Sequence, residues 1–169
     1  LTEMRPDLSE PLPDGLCRVI LRDSDSIMLG WEGNHLQKIN GHYCLFNIHW
    51  AYGDMREQGC HVARTLSDPF IGGVVLHHDL DGSGRGVAQG GAIDTPDGRW
   101  YLMLFQDHGA EGRMPVLVPF HMENGLPQTS GIPLAFPSSD AIAEPCAPLY
   151  ASDSLRGELN PLWQWNHEP

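Results

Sequence analysis

The feature that most constrains this chain is the dipeptide Asn40-Gly41. It is set between two apolar stretches, Leu36-Gln37-Lys38-Ile39 and Tyr43-Cys44-Leu45-Phe46-Asn47-Ile48. A two-residue connection of this kind needs positive φ at both central positions, which Asn and Gly tolerate, and it predicts a tight type I′ hairpin. Similar signals return twice. Pro96-Asp97-Gly98 separates residues 91–94 from the apolar run 100–105, and Glu123-Asn124-Gly125 follows the run 116–121. Residues 17–21 (Cys-Arg-Val-Ile-Leu) form a further strand candidate, closed by the turn-like Asp23-Ser24-Asp25-Ser26. No segment reads as a long amphipathic helix. Meandering hairpins at this spacing predict an all-β fold, a sandwich or a propeller. The hairpins at Asn40-Gly41 and Asp97-Gly98 are alike in pattern, as equivalent units of neighbouring blades would be.

Composition narrows the partners. The 19 glycines and 14 prolines suit short strands and tight turns. A net charge of −12 argues against nucleic acid or an anionic membrane surface, both of which demand a basic face. It is compatible with a neutral polymer such as a polysaccharide. No apolar run approaches the roughly 20 residues that a membrane-spanning helix needs. None of Cys17, Cys44, Cys60 and Cys146 forms a CxxC pair, so they read as free thiols, with Cys44 and Cys60 buried on strands. His35, His61, His77 and His78 show no ligand spacing.

Three stretches carry chemistry. Trp31-Glu32-Gly33-Asn34-His35-Leu36 places a carboxyl beside a glycine just before the first hairpin. A general acid at a glycosidic oxygen needs such a carboxyl, held protonated near neutrality, and burial against an aromatic such as Trp31 would raise its pKa. The segment 84–94 surrounds Gln89 with Gly84, Gly86, Gly90 and Gly91, as a bulged strand entry or a ligand- or ion-facing turn requires. The segment 106–115 clusters Asp107, His108, Glu111 and Arg113 after an apolar strand. The guanidinium fork of Arg113 suits carboxylates and sugar hydroxyls. Taken singly, the first and third of these stretches read sooner as a solvated turn and a surface loop, and the second equally well as a bulged strand entry.

Four stretches in one order change that: 32–43 (EGNHLQKINGHY), 89–101 (QGGAIDTPDGRWY), 105–115 (FQDHGAEGRMP) and 119–127 (PFHMENGLP). Jointly they resemble the later blades of glycoside hydrolase family 43, in its β-xylosidase and α-L-arabinofuranosidase branch. The resemblance is close over residues 29–127 and looser over 1–28. It implies about three blades of a five-bladed β-propeller over residues 1–127, followed by a Pro/Ser/Ala-rich extended linker over 128–160. Residues 161–169, with Trp163 and Trp165, would begin a truncated C-terminal β-sandwich or form a docking tail.

The resemblance also implies an inverting glycosidase acting on hemicellulose-derived xylosides or arabinofuranosides, with Glu32 as general acid. Trp31, Gln89 and Arg113 would contact the oligosaccharide or polysaccharide substrate. No cofactor is required, and Gln89 matches a position near an axial cation, so a structural calcium would take its amide oxygen as ligand. Ala88 stands where this branch usually carries His. The family's base and its tuning Asp lie in the two blades before the acid, whereas 31 residues precede Glu32. Asp7, Asp14, Asp23 and Asp25 do not match either position, so no base is assigned within this chain. Self-association or further N-terminal blades would complete the propeller. The competing reading is a catalytically inactive carbohydrate-binding or scaffold fragment.

Overall fold

A computed structural model describes residues 1–23 and 27–130. The expected linker beyond residue 130, the tail with Trp163 and Trp165, Asp25 and Cys146 lie outside the described residues. The fold is all-β. Among the described residues, eight strands run in chain order: β1 (Ile27–Ile39), β2 (His42–Ala51), β3 (Arg56–Ala63), β4 (Ile71–Leu76), β5 (Ala88–Asp94), β6 (Trp100–Asp107), β7 (Arg113–Glu123) and β8 (Leu126–Thr129). They form two four-stranded antiparallel meanders, β1-β2-β3-β4 and β5-β6-β7-β8. Against the expected arc of about three blades, the described residues supply these two sheets.

Turn chemistry sets the register. Asn40 and Gly41 have φ of 47° and 80°, the positive pair that a type I′ hairpin requires, and Ile39 faces His42 across it. Asn124 and Gly125 repeat the device between β7 and β8. At the Asp97-Gly98 hairpin, Gly98 donates to the Thr95 carbonyl and Thr95 donates to that of Arg99. The strand expected at 17–21 does not form. Cys17 makes a single bridge to Thr2, and the main chain around it bonds the N-terminal residues in a loop. β8 continues to Thr129, two residues past the expected end of the sheet region.

The two sheets stack face to face around one core. Cys44, Phe46 and Cys60 from the first sheet meet Ala92, Leu102, Leu104, Val116 and Val118 from the second. Cys44 and Cys60 are buried and free, as expected, and the hydrogen bond with Cys44, together with burial, pushes the Cys60 thiol up. Strand β1 lies against β5 and β4 against β8, so the two sheets stack with their strands in the same order. The other face of the first sheet carries a smaller cluster, Leu45, Ala63 and Phe70, covered by Ile20 and Leu21 from the N-terminal segment. The other face of the second sheet leaves Ile93 and Met103 exposed.

Polar side chains bind the sheets across their interface. Gln37 on β1 exchanges two hydrogen bonds with the main chain of Ala92 on β5. Gln58, fully buried on β3, accepts the Gln89 N–H. Arg56, 7% exposed, donates to Asp107 of the second sheet at 2.7 Å and to the Arg85 carbonyl at 3.0 Å. Its guanidinium also lies against the rings of Trp50 and Phe105. Truncating Asp107 strands a buried cation, so Asp107→Ala is expected to cost about 2 kcal/mol in urea denaturation. Glu10→Ala, whose pair with Arg5 lies at the surface, should stay within about 0.5 kcal/mol.

Candidate functional site

Glu32 sits in the middle of β1, opposite Ile48, and the pairing slips on both sides of it, between Leu29 and Glu32 and between Glu32 and His35. Irregularities of this kind bend a strand and re-aim its side chains. Glu32 is exposed and lines an open cavity of about 1080 Å³ together with Asp23, Leu29, Trp31, Asn34 and Leu45. A carboxyl on the edge strand β1 facing an open cleft can reach a bound substrate.

Trp31 does not bury Glu32 as expected. Its ring packs on the His49 ring at 4.7 Å, meets His61 edge-on at 4.8 Å, and lies over Gly59, where a Cβ would come within 2.3 Å of it. The Trp31 N–H donates to Asp23, whose other oxygen is 3.6 Å from His49 Nε2. The neighbourhood of Trp31 therefore braces the outer face of the first sheet, and Glu32 is left to solvent. Beneath this ring, His61 is buried, and that burial lowers its pKa below the ordinary histidine value.

Gln89 and Arg113 come together in a second cavity of about 450 Å³, shared with His35, Met103 and Phe105. Gln89 adopts φ of 66° and its side chain lies across Gly33, the residue after Glu32. This contact sets Gln89 against the residue that follows the acid. Arg113 stacks on Phe105 at 4.6 Å, and its Nε stands 3.6 Å from Asp107 Oδ1. Asp107 is the same carboxylate that holds Arg56, and Arg85 donates to its carbonyl. Arg113 is thus aimed by an aspartate anchored from the first sheet, with most of the guanidinium open to solvent.

Beside Gln89, whose amide oxygen is the expected calcium ligand, Ala88 offers no side-chain donor to an ion that takes six to eight oxygens.

Two polar constellations were not picked out from the sequence. Asp79, Asp81 and Ser83 wrap the buried amide of Gln106, whose Nε2 donates to Asp79 at 2.9 Å and Asp81 at 2.6 Å. Hydrogen bonds from Ser83 hold the Asp81 carboxyl down to about 2, with His108 3.4 Å away adding to the effect. The run Asp79-Leu80-Asp81-Gly82 was the available signal. Asp54, Glu57 and His77 form the other group, and nothing in their spacing announces it.

A scan against protein-family models returned no match. The chain is 29% identical over 146 residues to a provisionally named beta-xylosidase of Xylanibacter ruminicola, covering 82% of this chain and 28% of that protein. It is 25% identical over 171 residues to a beta-xylosidase of Formosa agariphila, covering 83% of this chain and 28% of that one. The chain thus spans 28% of the length of the curated relatives it matches. Among solved structures, a bifunctional GH43-CE protein of Bacteroides eggerthii matches with a TM-score of 0.67 and 44% identity over 76% of this chain and 16% of its own. A thermostable family-43 glycoside hydrolase shares the fold at a TM-score of 0.61 and 20% identity, over 79% of this chain and 47% of its own. The all-β sheets, the ordered motifs and these relatives agree, and the chain belongs to glycoside hydrolase family 43.

Proposed function

We propose that this chain is the acid-bearing part of a β-propeller glycosidase acting on xylosides or arabinofuranosides from hemicellulose, with inversion at the anomeric carbon. The observation that carries the reading is Glu32, exposed on the irregular edge strand β1 in a large open cleft. Its carboxyl donates a proton to the glycosidic oxygen as the bond to the anomeric carbon breaks. The base that takes a proton from the attacking water comes from outside this chain. Inversion needs the two carboxyls about 6.5–9.5 Å apart, so the first sheet must face whatever presents that base. Arg113 and Gln89 bind sugar hydroxyls from the second cavity. The names of the relatives, both beta-xylosidases, support the substrate class.

Exposed Ile93 and Met103 on the second sheet support completion of the propeller by further blades or by a second copy. The test is an assay on this chain within a polypeptide as long as its relatives, using aryl β-xylosides and aryl α-arabinofuranosides, with product anomers followed by proton NMR. Turnover with inverted product is expected. Sugar binding without turnover would instead establish the inactive carbohydrate-binding reading, and retained configuration would overturn the mechanism.

A further inference from the structure

We propose that Asp54, Glu57 and His77 form a binding site for a zinc-class divalent metal ion at one end of the first sheet, separate from Glu32 and Arg113. The three come from different elements: the β2–β3 turn, the start of β3 and the residue after β4. Their ligand atoms all lie within 4.8 Å of one another, with His77 Nε2 2.9 Å from Asp54 Oδ1 and 3.8 Å from Glu57 Oε1. A tetrahedral ion with bonds of about 2.0–2.1 Å needs ligands spaced roughly 3.3–3.4 Å apart. The observed separations bracket that spacing, and small side-chain rotations reach it.

Charge and donor type choose the metal. Two carboxylates facing one imidazole leave negative charge that a dication would balance. One nitrogen and two oxygens suit zinc, cobalt or nickel, and they fall well short of the oxygen shell that calcium takes.

The strongest support comes from outside the trio. The side chain of Glu57 is only 14% exposed, and its second oxygen is held at 3.0 Å by His49 Nδ1. His49 is in turn fixed by the Trp31 ring on one side and by Asp23 at 3.6 Å on the other. This is the bracing that orients metal-bound carboxylates, and it leaves Oε1 as the oxygen directed to His77. The turn is held as well, because Trp50 Nε1 donates to the Asp54 carbonyl at 2.6 Å. The side chains of Asp54 and His77 are 45% and 46% exposed, so a fourth position opens to solvent. Three protein ligands with one open position are the pattern of a site that can bind water or a further ligand.

The test is titration of the 169-residue chain with Zn(II) by calorimetry and with Co(II) by visible absorption at neutral pH. One equivalent should bind with a Kd of about 10 μM or tighter, and Co(II) should give the intense d–d bands of a tetrahedral site. His77→Ala should weaken binding at least tenfold, and His49→Ala, which removes only the brace, about tenfold. His121→Ala, outside the group, should change nothing. Circular dichroism of each variant shows that the fold is retained, and the exposure of His77 favours that outcome. Affinity unchanged in His77→Ala, a weak octahedral Co(II) spectrum, or no saturation below about 1 mM would overturn the proposal. None of these readouts depends on glycosidase activity.

Discussion

Replacing Glu32 by Gln is expected to cut hydrolysis of unactivated xylo- or arabino-oligosaccharides by about 10²–10⁴-fold. The amide keeps the shape and polarity of the side chain but has no proton to give to the leaving oxygen. The loss should therefore depend on the leaving group. A dinitrophenyl glycoside departs without protonation, so the variant should retain most of its wild-type rate on that substrate while failing on a disaccharide. KM should change little, because the interaction removed is made in the transition state. Stability should also be unaffected to within about 0.5 kcal/mol, since Glu32 is exposed. An equal loss on every substrate would assign Glu32 to positioning or folding, and no loss on the disaccharide would remove it from the mechanism.

The parts of the fold that were legible in the sequence are those set by local chemistry. Asn40-Gly41 and Asn124-Gly125 read as hairpins because positive φ at both central residues leaves few alternatives, and the structure has them there. The apolar strands β2, β6 and β7 read from their runs for the same local reason. Strand β3 read only at Cys60, because Arg56 and Gln58 at its start are polar and point into the sheet interface. Their partners, Asp107 and Gln89, are 51 and 31 residues away, so no window of sequence shows that these polar groups are satisfied. Residues 17–21 misled in the opposite sense. Ile20 and Leu21 are apolar because they cover Leu45, Ala63 and Phe70, and a loop can do that as well as a strand.

The site divides along the same line. Glu32 and the Gln89–Arg113 pair emerged from ordered motifs. Trp31 was placed beside the acid by adjacency in sequence, whereas the irregular pairing around Glu32 sends the tryptophan ring to His49 and His61. His77 looked inert by spacing because its neighbours Asp54 and Glu57 come from across the sheet, 20 residues or more upstream.

Gly90→Ala should do more damage to the fold than any exposed substitution, with a loss on the order of 3 kcal/mol or failure to fold. A Cβ built at this position would stand 1.8 Å from the Met103 carbonyl oxygen and 2.9 Å from its carbon. Both are main-chain atoms of the paired strand, so no rotamer change relieves the contact. The strands must separate where β5 enters the sheet, between the pairs Ala88–Phe105 and Gly91–Met103. Gly98→Ala supplies the comparison: its Cβ would meet nothing within 4 Å, and only its φ of 81° opposes the change. That penalty is about 1–2 kcal/mol, so thermal or urea denaturation should rank Gly90→Ala well below Gly98→Ala. The same clash reaches the site. Gln89 precedes Gly90, bonds Gln58 through its own N–H and lies across the glycine next to Glu32. A shift of β5 therefore moves the Gln89–Arg113 cavity against the acid. If any Gly90→Ala protein folds within a full-length enzyme, its kcat should fall together with its stability. Wild-type stability in that variant would show that β5 and β6 are not paired as described.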